Sequence, residues 1–336
     1  MIEKIKKILN SSQYNFLRSN PKLKNMMLLT VGGSHAYGTN NENSDIDIRG
    51  ICLENIEEYW GLSRFEQFTD SQTDTVIYGF KKLINLLLNC NPNIIEILGT
   101  NEEHIFQISE AGKLLRNNVD LFLSKKVYYS FGGYATSQLR RLQNALARDE
   151  YPQKEKEKHI LGSIENQFEH FQREYQKFTK SEIKLYLNKS CKKDFDEEIF
   201  IDINLNHYPL RDLKSIYSDM NNVIKNYESL NHRNNKKDEL HLNKHAMHLV
   251  RLLIMGTEIL ETGKINTFRK DREFLLKIRD GYYSYEHIFQ MVDDLEKNFK
   301  DAYERSLLPE KSNSNAIEKF MIKIYSQDVI NQIINI

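Results

Sequence analysis

Three cysteines in 336 residues, Cys52, Cys90 and Cys191, are too few, too scattered and odd in number for a disulfide framework or a zinc knuckle. That usage fits a reducing compartment, so a cytoplasmic location is expected. A surplus of one charge is also missing: 47 basic residues face 47 acidic ones, giving a formal net charge of +0 at pH 7. No global field then draws the chain to nucleic acid or to a membrane surface, and any basic patch must be local. Long hydrophobic runs are lacking too, since none approaches the roughly 20 apolar residues needed to cross a bilayer. The N-terminal MIEKIKKILNSSQYNFL carries Ile5, Ile8 and Leu9 at helical spacing, without the apolar region or small-residue cleavage site of a signal peptide. A soluble protein with no membrane partner is expected. No repeat of fixed period occurs, which excludes solenoids and propellers.

What is present is ample for a core: 40% of residues are hydrophobic, with 18 Tyr, 17 Phe and one Trp. The length exceeds one typical domain. The pattern predicts an α/β (α+β) fold, with a small mixed sheet over residues 1–120 followed by a mainly α-helical region over 121–336. Strands are expected at 26–31, 45–53 and 72–78, and helices at 2–19 and 79–90, the latter ended by Asn91-Pro92-Asn93. Beyond residue 104, helices are expected at 109–117, 125–148, 154–178, 239–261, 271–279, 285–304 and 315–330, with a short strand at 200–205 and a loop at 234–238.

The stretch LLTVGGSHAYGTNNENSDIDIRGICL, residues 28–53, is the most informative. An apolar strand runs into Gly32-Gly33-Ser34, where glycines let the backbone come close to a phosphate and a hydroxyl supplies a donor. After ten intervening residues from Ser34 comes Asp45-Ile46-Asp47-Ile48. Strand alternation predicts that Asp45 and Asp47 share one face while Ile46 and Ile48 enter the core. Such a pair repels itself unless a proton or a cation intervenes, and its oxygens suit Mg²⁺, with Mn²⁺ as an alternative. Arg49 has the same parity, and is expected either to clamp a phosphate or to hold the carboxylates. The bland alternative is a glycine turn followed by two solvated carboxylates on an edge strand.

A Gly-Ser turn followed by Asp-x-Asp resembles the nucleotidyltransferase superfamily typified by DNA polymerase β. The longer GGSHAYGTNNENSDIDIRG is similar to nucleotidyltransferases related to phage RNA-ligase-associated proteins. The resemblance implies a divalent metal, an NTP substrate, transfer of NMP to a hydroxyl acceptor such as an RNA end with release of pyrophosphate, and association with an RNA ligase. It makes 1–120 the catalytic domain and 121–336 a helical domain completing the cleft. It also implies a third acidic residue on an adjacent strand; Asp74 matches best, with Asp70 and Glu96 as further candidates, Glu96 because NPNIIEIL resembles the family's own signature. The catalytic and metal-binding set is then Asp45, Asp47 and Asp74, with Gly33, Ser34 and Arg49 toward the nucleotide.

A second region, HLNKHAMHLVRLLIMGTEIL, pairs an apolar stripe of Leu242, Ala246, Leu249 and Leu253 with a side carrying His241, Lys244, His245, His248 and Arg251. KHAMHLVRLL, ETGKI and IRDGYYSYE extend the family resemblance into the C-terminal half. Lys244, His248 and Arg251 stand at i, i+4 and i+7 and are expected to meet a triphosphate or an acceptor backbone. The alternatives are a zinc site at His241, His245 and His248, or a solvated basic face. Aromatics in KVYYSFGGYATSQLRRL could stack on a base, although periodic aromatics more often pack a core. Two further functions stay open: a binding module without turnover, and modification of a protein hydroxyl.

Overall fold

The structure is a computed structural model that describes residues 2–42, 44–150, 157–158, 161, 182–191, 197–206, 208–232 and 239–334. Packing groups Met1–Leu139 with Asn243–Ile336 in one compact unit and Arg140–Leu242 in a second.

The first unit is built on a mixed sheet of β1 (Met26–Val31), β2 (Ile48–Cys52), β3 (Gln67–Asp70), β4 (Thr75–Gly79) and β5 (Ile105–Ile108), in the order β3-β4-β2-β1-β5. β2 and β4 run parallel, and the other neighbours are antiparallel. Strand β1, MMLLTV, is buried at every position. That explains its continuous apolar run, because a strand with neighbours on both edges and cover on both faces has no wet side to alternate with.

Several boundaries differ from the expected ones. The helix expected over 2–19 is broken into α1 (Ile2–Leu9) and α2 (Phe16–Ser19). Asn10, Ser11 and Ser12 compete for backbone hydrogen bonds, and Arg18 Nη1 donates to the Leu9 carbonyl at 2.9 Å, closing off the end of α1. Strand β2 begins at Ile48 rather than 45, so Asp45 and Asp47 sit in its lead-in and not in the ladder. Asp74 adopts φ 44°, a turn conformation, and the third strand, expected from 72, starts only at Thr75, as β4. The turn Ser71–Asp74 joins β4 to β3, a strand absent from the expected set because its short run is mostly polar.

Helices α3 (Gly33–Tyr37), α4 (Ile56–Trp60), α5 (Phe80–Leu87), α6 (Pro92–Leu98), α7 (Glu110–Asn117) and α8 (Lys126–Glu150) follow the strands. Asn91 caps α6 through Asn93 N–H at 3.1 Å, with Pro92 in the first turn, so Asn-Pro-Asn both ends one helix and starts the next. In the second unit β6 (Glu182–Lys189) pairs with β7 (Glu197–Asn204), and α9 (Leu213–His232) buries Ile216 against Leu185, Leu205 and Tyr208. The strand expected at 200–205 coincides with the second half of β7, which is longer at its start and stops at Asn204. The helix over 154–178 and the loop over 234–238 fall almost wholly outside the described residues.

The C-terminal helices are α10 (Glu239–Thr262), α11 (Arg272–Arg279), α12 (Tyr285–Arg305) and α13 (Ser314–Ile334), close to the expected spans. Among the described residues, no helix is long and apolar enough to cross a membrane.

Candidate active site

The site forms where β1 ends beside the first residues of β2 and β4. Gly32 N–H donates to the Asp47 carbonyl at 2.8 Å, and Ile48 N–H donates to the Asp74 carbonyl at 3.1 Å. Backbone pairing alone therefore brings the glycine turn, the Asp47 segment and Asp74 together. Gly33 has φ +55°, and a Cβ there would lie 1.9 Å from Asp47 Oδ2. Only glycine fits, both for the left-handed backbone and for the close approach of the carboxylate. Ser34 follows, half-buried, in the first turn of α3.

Arg49 ties the acids together. Its Nη2 donates to Asp47 Oδ1 at 3.0 Å and to Asp74 Oδ1 at 3.2 Å, while Nη1 donates to the carbonyls of Ile48 at 2.9 Å and Asp74 at 2.5 Å. Asp45 is exposed, two residues ahead of Asp47, and stands outside this bridge. Burial pushes the Asp47 carboxyl up to about 6; the neighbouring carboxylate of Asp74 adds to the rise, against the opposing charges of Arg49 and Lys244.

Lys244, exposed on α10, is thus a cation of that helix whose field reaches Asp47. The rest of the expected cationic side of α10 is used differently. Arg251 is only 4% exposed, pairs through Nη1 with Glu96 Oε1, and lies with its guanidinium carbon 3.7 Å from the centroid of the Tyr37 ring. Tyr37 donates its hydroxyl to Glu96 Oε2 at 2.5 Å, and burial raises its pKa beyond the usual tyrosine range, so it stays a donor. His248 is half-buried with its ring edge-on to Tyr37 at 6.5 Å. Burial, then the charges of Arg251 and Lys244, push its pKa down to about 3, so it is neutral at pH 7. His245 Nδ1 is 2.8 Å from Gln138 Oε1. Ala246, Met247, Leu249 and Val250 of α10 are at 0% exposure, while along its expected cationic side His241 and Lys244 are exposed, His245 and His248 half-buried and Arg251 buried, so the five do not share one solvated face.

Glu96 is thereby placed: a buried anion joining α3, α6 and α10, whose carbonyl also accepts from the hydroxyls of Thr100 at 3.1 Å and Thr267 at 2.7 Å. The loop ahead of Asp45 is held from the C-terminal half as well. Arg279 donates to the Thr39 carbonyl and, at 3.3 Å, to Ser44 Oγ, while Arg269 N–H donates to the Tyr37 carbonyl at 3.0 Å. Tyr37, Thr39, Arg269 and Arg279 carry no local signal of this support, although Tyr37 and Arg279 lie inside the family-like strings GGSHAYG and IRDGYYSYE. A cavity of about 180 Å³ opens beside the turn, lined by Gly32, Gly33, Tyr37, Arg49, Tyr78 and Asn93, among others. It is smaller than the roughly 300–1,000 Å³ of drug-sized pockets, and so suits part of a nucleotide rather than the whole.

The donors suit a divalent cation of limited kind. Among the described residues, no three or more His, Cys, Asp or Glu are arranged to hold a metal ion, which includes the three histidines of α10. Asp47 and Asp74 are nevertheless hard oxygen donors brought together at the Arg49 guanidinium. Mg²⁺ commonly binds through one or two carboxylates, completed by water and substrate phosphates. The pair fits that role and not an all-protein cage.

No curated protein and no solved structure matches this chain. A family model described as the RNA repair pathway DNA polymerase beta family matches residues 2–323, nearly the full length and both resembling regions. The fold, the glycine turn against Asp47 and that match agree: the chain belongs to the RlaP family of DNA polymerase beta-like nucleotidyltransferases.

Proposed function

We propose that the protein is a Mg²⁺-dependent nucleotidyltransferase (with Mn²⁺ as an alternative) that moves NMP from an NTP to an acceptor hydroxyl, an RNA end being the preferred acceptor. The observation that supports this best is the convergence of Gly33, Asp47 and Asp74. Gly33 and Ser34 hold the nucleotide phosphates, with Arg49 and Lys244 neutralising charge. Asp47 and Asp74, joined by Asp45 from the exposed lead-in, would hold the metal, which would supply charge neutralisation at the transferring phosphate. The acceptor oxygen forms a bond to the α-phosphorus, the bond to the pyrophosphate oxygen breaks, and Asp74 takes the hydroxyl proton. His248 and Arg251 act behind the site: Arg251 holds Glu96 and Tyr37, and through them the helix that carries the glycine turn.

Replacing Asp45 and Asp47 together by Asn is expected to abolish NTP-dependent release of pyrophosphate while the circular dichroism spectrum is retained. Full turnover in that double variant would refute the assignment. Labelled NTPs incubated with the protein, RNA and cell extract identify the acceptor by the fraction that becomes labelled. RNA labelling would also motivate a pull-down for the RNA ligase association that the family resemblance implies.

A further inference from the structure

Arg49 belongs to both halves of the proposed site. Its stem lies against the glycine turn, where a Cβ on Gly32 would come within 2.7 Å of Arg49 Cγ. Its head bridges the Oδ1 atoms of Asp47 and Asp74. The same side chain lines the cavity beside Gly32 and Gly33. A divalent cation would compete with the guanidinium for those carboxylates. A phosphate in the cavity would compete with the carboxylates for the guanidinium.

We propose that Arg49 is a coupling residue: it is the counter-ion of Asp47 and Asp74 while the site is empty, and cation binding releases it to the phosphates of the incoming nucleotide. This inference rests on the nucleotidyltransferase reading and names how its two ligands communicate. Either ligand arriving alone must break the two ion pairs. The second ligand finds them already broken. Cation and nucleoside triphosphate therefore bind with positive cooperativity beyond their direct contact, and linkage makes that coupling reciprocal. The bridge also keeps the carboxylates compensated when no cation is present, which a glycine turn and two aspartates cannot do for themselves.

The test uses the full chain and needs no turnover. Mn²⁺ binding is followed by the loss of its free-ion electron paramagnetic resonance signal, without nucleotide, in wild type and in Arg49→Gln. About tenfold tighter binding is expected in the variant, within the usual 5–150-fold range of coupling between sites. Binding of each of the four NTPs is then measured by calorimetry in EDTA, in wild type, Asp47→Asn/Asp74→Asn, Arg49→Gln and the triple variant. The Asn pair is expected to tighten NTP binding about tenfold, and this gain is expected to vanish when Arg49 is also Gln. Equal Mn²⁺ affinity in wild type and Arg49→Gln overturns the inference. So does an undiminished NTP gain in the triple variant, which would reduce the effect to removal of negative charge. Should Arg49→Gln fail to fold, Arg49→Lys replaces it, with the same directions expected, because a single ammonium cannot span both carboxylates as the planar guanidinium does. Wild type that binds neither Mn²⁺ nor any NTP overturns the nucleotidyltransferase reading itself, a result distinct from binding of both without coupling.

Discussion

At the scale of single residues, neighbours on the same short helix segment have opposite fates. Lys244 is exposed and projects its charge toward Asp47, whereas His248, one helical turn on, is kept neutral by burial and by the cations around it. The consequence for stability has a definite sign. His248 has its pKa lowered from 6.5 to about 3, so below 6.5 the unfolded chain takes up a proton that the folded chain refuses. Stability associated with this residue is intact above pH 6.5 and is lost as pH falls toward 3. The slope cannot exceed about 1.4 kcal/mol per pH unit, the value for one proton, and partial exposure of the ring narrows the pH window over which it applies. Replacing His248 by Gln should flatten the acid limb of stability against pH, measured by urea unfolding between pH 7 and pH 4. An unchanged limb would mean that the imidazole ionises freely in the folded protein.

Among the elements, α3, α6 and α10 are locked by one buried cluster of Tyr37, Glu96 and Arg251. Such a pair resists loss of one partner far more than loss of both, because a lone buried charge keeps its full desolvation cost. Arg251→Met is expected to lose about 3–5 kcal/mol of unfolding free energy, the usual cost of breaking a buried pair from one side. Adding Glu96→Gln to the same chain should restore most of it, since the amide oxygen still accepts from Tyr37 without a charge to balance. Chemical denaturation of the two single variants and the double completes the cycle, and additive losses would show that the two side chains do not interact. Much of this level is legible in the chain itself. Strand β1, the turn after it, α8 and the four C-terminal helices fall close to their expected spans, because their periodicity and caps are local properties. The start of β2 departs from expectation because a hydrogen bond from the distant Gly32 to Asp47 sets where its pairing begins, while the first helix and strand β3 depart in short polar segments that carry no clear period.

For the whole molecule, the proposed division at residue 120 carries a prediction of its own. The sheet and glycine turn pack in one compact unit with Asn243–Ile336. The carbonyls of Thr39 and Tyr37, and the Glu96 carboxylate, take their partners from Arg251, Arg269 and Arg279. A fragment of residues 1–120 should therefore fail to unfold cooperatively on heating, although it contains every carboxylate of the proposed centre. A sharp transition from that fragment would show an autonomous catalytic domain.

The order of a glycine turn, Asp-x-Asp and a later acidic residue was enough to identify the family and to expect a small mixed sheet with helices after it, because those features are set by spacing along one strand and its neighbours. Which charges meet was decided only by tertiary packing. The i, i+4, i+7 pattern of Lys244, His248 and Arg251 suggested one cationic side, but Glu96, 155 positions from Arg251, drew that arginine into the interior. The same holds for Arg49, whose parity with Asp47 was visible, while its hold on Asp74 depended on β4 lying parallel to β2. Periodicity reports which side of an element is available, and the identity of the partner across the fold determines whether a charge there meets solvent, a ligand or a buried counter-ion.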